Sequence, residues 1–153
     1  MTQGGSRQPD GKIVLAGSAS SGLSVHDFAL AMFDEDGALD TSIGEAGLVT
    51  TDVSPGQAFA DDFAEDLAIQ ADGRIVLAGR NTSATFNDLA MVRYTDRGEV
   101  DESFGGDGEG ILITDFHGAG DRGNDVAIGP DGKAVAAVDA ANGGSFALAR
   151  ALP

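Results

Sequence analysis

Three stretches of the chain carry the same alternation of large and small residues. Phe28, Leu30 and Met32 oppose Ala29, Ala31 and Phe33. Leu89, Met91 and Arg93 oppose Ala90, Val92 and Tyr94, and Phe146, Leu148 and Arg150 oppose Ala147, Ala149 and Ala151. Successive side chains of a strand point to opposite faces, so each stretch predicts a strand with one bulky row and one slender row. Neither row is mainly polar. That suits sheets stacked face to face, where large side chains settle against small ones. A helix fits poorly, because the runs are short, end in turns and lie among β-branched segments.

The alternation sits inside a longer repeat. Gln8-Pro9-Asp10-Gly11-Lys12-Ile13-Val14-Leu15-Ala16-Gly17 returns as Gln70-Ala71-Asp72-Gly73-Arg74-Ile75-Val76-Leu77-Ala78-Gly79. It returns again, more divergent, from Gly129 to Val138, so the Asp-Gly pairs lie 62 and 59 residues apart. A period of this size means an array of similar units. The Asp-Gly pair between apolar runs is a hairpin turn. It joins an opening strand (Glu65–Gln70, Asn124–Gly129) to a second strand (Lys12–Gly17, Arg74–Gly79, Lys133–Val138). The alternating strand comes third. A turn at Asp34–Asp40 or Thr95–Asp101 then leads to a last strand at Leu48–Val53 or Ile111–Phe116.

Four strands per unit predict an all-β fold, a β-propeller-like stack of four-stranded antiparallel blades. The units are 8–61, 62–121 and a shortened 122–153 within one repeat domain. The first unit is expected to lack its opening strand, because Gln3–Arg7 has no apolar residue where Leu67 and Ile69 sit. The third ends after its third strand. That makes about ten strands, or 2.5–3 blades, where closed propellers hold roughly four to eight. Either two copies complete a ring, or the units belong to a longer array; self-association is the expectation.

Composition narrows the partners. Net charge is −16, from 25 acidic and 9 basic residues. Such a field repels nucleic acid and anionic membrane surfaces. With no Cys there is no disulfide and no thiolate chemistry. No apolar run reaches the roughly 18–20 residues of a membrane-spanning helix. The first residues show no apolar core of a secretion signal.

Residues Asp66 to Gly79, Asp88 to Tyr94 and Gly98 to Gly105 carry a pattern that the first unit shares through Asp27–Ala31 and Asp36–Gly44. The pattern resembles the delta-60 repeat, a bacterial β-propeller-like repeat. The resemblance implies a blade-forming fold, often in large secreted or surface-associated proteins, and so favours an extracellular or cell-surface location. It implies no agreed activity and supplies no catalytic residues. The third unit departs from it, with Ala134, Ala136 and Ala137 in place of larger residues.

Candidate chemistry is sparse. Asp34, Asp36 and Asp40 are the candidate calcium ligands, since alternating carboxylates around a glycine turn present the oxygens a hard cation takes. The rival reading is that these aspartates bond their own turn backbone. Glu45 holds the twelfth place of an EF-hand count, but no helices flank it. The Gly105–Gly110 stretch has one copy of a glycine-rich calcium-type pattern and reads as a loop. Asp61, Asp62, Glu65 and Asp66 form an acidic cluster that would suit paired acid-base catalysis but reads as a solvated rim. His26 and His117 lack the spacing of a helical zinc site. There is no Gly-x-Ser-x-Gly elbow and no phosphate loop.

The segments Ser18–Val25, Asn81–Asn87 and Asp139–Gly144 occupy one place in successive units yet differ in length and sequence. Loops on a rigid array are the natural place for recognition. The expected function is a non-catalytic structural or recognition module whose rim loops bind a protein or glycan. The alternatives are a carbohydrate-active hydrolase or lyase, and a self-assembling propeller fragment with no ligand.

Overall fold

The computed structural model describes residues 2–20, 25–55, 57, 60–82, 86–106, 108–116, 118–140 and 144–151. Among the described residues eleven strands follow one another and there is no helix. The first sheet holds β1 (Thr2–Arg7), β2 (Ile13–Ser20), β3 (His26–Phe33) and β4 (Leu48–Thr51). The second holds β5 (Phe63–Ile69), β6 (Ile75–Thr82), β7 (Asn87–Tyr94) and β8 (Ile111–Thr114). The third holds β9 (Arg122–Ile128), β10 (Ala134–Ala140) and β11 (Ser145–Arg150). Neighbours in sequence are neighbours in each sheet, and every pairing is antiparallel.

The Asp-Gly pairs close the first hairpin of each sheet. Gln8 N donates to Lys12 O at 2.8 Å and Gly11 N to Gln8 O at 3.0 Å, with Gly11 at φ 98°. The bonds of Gln70 and Gly129 repeat this pattern.

The bulky and slender rows meet between sheets. Phe28, Leu30 and Met32 share one core with Ala90, Val92 and Tyr94, all fully or almost fully buried. Leu89 and Met91 share a second core with Ala149 and Ala151 and with Ala134 and Ala136 of β10, and Ala147 packs against it. The middle sheet is therefore covered on both faces, and Ile75–Ala78 and Leu89–Tyr94 are buried throughout.

One expectation is corrected. The first unit does have an opening strand: β1 pairs with β2 through Gly4–Ala16 and Gly5–Leu15. The same register recurs in Asp66–Ala78 and Leu67–Leu77. Ladder bonds come from the backbone and need no apolar side chain. Here glycine is also needed for closeness. A Cβ on Gly4 would lie 2.9 Å from Asp66 Oδ1 and 3.2 Å from the Asp66 Cα in the next sheet. Gly5 stands where the second unit has Leu67, and there a Cβ would lie 2.8 Å from Leu15 Cδ2; Arg7 stands where it has Ile69.

Candidate functional site

Antiparallel order assigns each connection between strands to one rim. The Asp-Gly turns and the turns after each third strand share one rim. The loops after each second strand and the crossovers between sheets share the other. At this second rim Asp27 on β3, Asp52 just past β4 and Asp62 just before β5 bring carboxylate oxygens within 4.8 Å of one another. One repeat later Asp88, Asp115 and Asp121 do the same.

In each trio the last aspartate holds the crossover together. Asp62 N donates to His26 O at 2.6 Å, as Asp121 N donates to Asn87 O at 2.7 Å. The Asp62 carboxylate accepts from Val53 N at 3.0 Å and from Ser54 Oγ at 2.9 Å. Asp121 Oδ2 accepts from Phe116 N at 2.5 Å. Both residues are buried. Burial pushes the Asp62 carboxyl above the ordinary carboxylate range, the bonds from Ser54 and Val53 pull the other way, and the charges of Asp52 and Asp27 add to the rise. Burial raises Asp88 as well, with Asp115 and Asp121 adding to it. Three carboxylates so placed offer the oxygen ligands of a hard cation or share a proton. Their positions along the chain serve strand connection.

The acidic cluster at Asp61–Asp66 is dispersed among separate partners. Asp61 Oδ1 lies 3.0 Å from His26 Nδ1 and accepts His26 N at 2.9 Å, which lowers its pKa. Asp62 joins its trio and is buried, where the sequence predicts a solvated rim. Glu65 Oε1 receives Arg80 and Arg122, each at 2.7 Å. Asp66 Oδ2 accepts Val126 N from the third sheet at 3.0 Å. His26 also stacks on Phe63, with ring centroids 5.2 Å apart, and the Arg80 guanidinium lies 4.6 Å from the same ring.

Asp34, Asp36 and Asp40 stand at the opposite rim and form no such trio. Asp34 Oδ1 accepts Asp36 N at 3.1 Å and Ala38 N at 2.8 Å. Asp40 Oδ1 accepts Ser42 N at 3.1 Å and Ser42 Oγ at 2.6 Å, and Oδ2 lies 3.2 Å from Lys12 Nζ. Those bonds, Ser42 first, lower the Asp40 pKa to about 2. The same rim holds a cavity of about 610 Å³ between the first two sheets, lined by Lys12, Asp40, Ser42, Arg97 and Glu99 among others. His117 and Asp107 lie outside the described residues.

Residues 8–42 and 70–104 each match a family described as a domain of unknown function (DUF5122) β-propeller. The repeat is of β-propeller type. No curated protein matches the chain. The first two sheets are thus propeller-like blades, and the third, outside the matched windows, follows the same antiparallel meander. The matched propeller windows include Asp27 and Asp88 but end before Asp52, Asp62, Asp115 and Asp121. The trios therefore lie mostly in the crossovers outside the matched windows.

Sequence reasoning missed both trios. The signal was present as phase. Asp27 and Asp88 each precede the alternating strand, and Asp62 and Asp121 lie 59 residues apart, as do the Asp-Gly pairs at 72 and 131.

Proposed function

We propose that this chain is a non-catalytic recognition module of delta-60 type, presenting the rim of variable loops to a protein or a neutral or cationic glycan. One observation carries the reading: the meander gathers the loops after β2, β6 and β10 at one rim, over crossovers clamped by Asp62 and Asp121. Recognition sites commonly vary in sequence above a fixed base of this kind. The centres of those loops, residues 21–24, 83–85 and 141–143, lie outside the described residues. Phe63, His26 and Arg80 supply an aromatic face with polar neighbours. The charge of −16 disfavours anionic ligands.

Capture on a glycan array tests this reading, with a Gly-Ser replacement of residues 20–25 and Lys12→Ala as a control on the opposite rim. The expected outcome is a bound neutral or cationic glycan that the loop replacement loses and the control keeps. Binding that survives the loop replacement overturns the assignment to this rim.

A further inference from the structure

The chain builds two junctions between blades by one rule and, among the described residues, leaves the two halves of a third without a facing sheet. At each junction the bulky row of a third strand meets the slender row of the next: Phe28, Leu30 and Met32 on β3 against β7, then Leu89 and Met91 on β7 against β11. The last blade repeats the bulky row on its outer face, where Phe146 is 71% and Leu148 62% exposed. The first blade turns its slender row outward. Ala29, Ala31 and Phe33, with Leu15, Gly17 and Leu48, line an apolar hollow of about 200 Å³. Knobs stand on one end of the stack and a hollow on the other, at equivalent strand positions.

We propose that the occupant of each end is a second copy of this chain, bound head to tail, with Phe146 and Leu148 of one copy in the Ala29–Ala31 hollow of the other. The contact continues an interface the chain already makes twice, in the same strand register. It is heterologous, because unlike surfaces meet, and such contacts close when the rotation allows. Two copies of three blades give six, within the roughly four to eight blades of closed propellers. Face-to-face pairing of two bulky ends would set knobs against knobs. Because each copy carries −16 charge, the apolar contact strengthens as salt screens repulsion.

The test is the mass in solution at tens of micromolar, by sedimentation or light scattering, at low and high salt. The 153-residue chain is expected at twice its own mass, more completely at high salt. Phe146→Glu with Leu148→Glu changes only exposed side chains, so folding is retained and the mass halves. Ala31→Arg on the other end also halves it. Mixing the two variants restores a two-chain species, since each brings one intact end. A wild-type chain that stays at single mass at both salts overturns the proposal. So does a two-chain species that survives Ala31→Arg but not the Phe146–Leu148 change, because that pattern marks bulky ends meeting each other. Mass and glycan capture are separate readouts, so this inference and the rim reading fail independently.

Discussion

The Tyr94 hydroxyl donates to Thr51 Oγ1 at 2.8 Å, across the junction between the second blade and the first. Tyr94 ends the slender row of β7 and is completely buried, and burial drives its pKa well upward. Its ring fills the core while its one polar atom finds the edge strand β4. Tyr94→Phe removes only that bond and is expected to cost about 1 kcal/mol. At fixed protein concentration the thermal midpoint falls by ~2–4 °C. Tyr94→Ala also opens a cavity and costs about 3–5 kcal/mol. Equal midpoints for Tyr94→Phe and wild type would show that the bond contributes nothing.

Gly79 has no room for a methyl group. A Cβ there would sit 1.9 Å from Phe63 O and 2.9 Å from the Ala64 Cα. Gly79→Ala is expected to destabilise by about 1–3 kcal/mol or more, through displaced backbone. Urea denaturation gives the value. In the third blade the glycine stands on the opening strand instead: Gly123 pairs with Val138 where the second blade pairs Ala64 with Gly79, and a Cβ on Gly123 would lie 2.7 Å from Leu89 Cδ1 and 3.0 Å from Gly79 O of the second blade.

That exchange shows what the sequence made legible. The hairpin turns, the strand order and the bulky and slender rows were readable because each is written in local periodicity. The strand β1 was not, because Gly4 serves a close approach to the next sheet and Gly5 gives room to the Leu15 side chain, and hydropathy does not record closeness. The carboxylate trios were not read as sites for a related reason. Asp52 and Asp62 look like ordinary loop acids until the crossover folds them onto Asp27.

Protonation of the more buried aspartates sets part of the pH dependence. Asp62, Asp66 and Asp88 have raised pKa values in the fold, chiefly from burial. The native state holds those protons more tightly than the unfolded chain, so their contribution is lost as pH rises through the native pKa values. Asp40, Asp61, Asp72, Asp101 and Asp131 are lowered, and their contribution is lost as pH falls below the ordinary carboxylate range. Stability is therefore expected to peak at mildly acidic pH. Asp88→Asn raises the midpoint at pH 7 and has little effect near pH 3.5. A gain of equal size at both pH values would contradict this origin.

Arg93 anchors the second blade to its own turn. Its guanidinium donates to Asp101 Oδ2 and Ser103 Oγ, both at 2.9 Å, and lies 4.9 Å from the Phe104 ring centroid. Lysine keeps the charge but loses the fork. Arg93→Lys is expected to cost about 1.5–3 kcal/mol, the range for bonds to charged groups. Equilibrium urea unfolding should show a lower midpoint with an unchanged slope.

The alanines of the third blade, Ala134, Ala136, Ala149 and Ala151, are cut to the depth of Leu89 and Met91. The repeats are consequently not interchangeable parts. Swapping the second for the third would leave Phe28 and Met32 facing too little volume, and transplanting the first into third place would overfill the gap beside Leu89. Side-chain size thus works as an address, telling each leaf of the stack which neighbour it belongs beside.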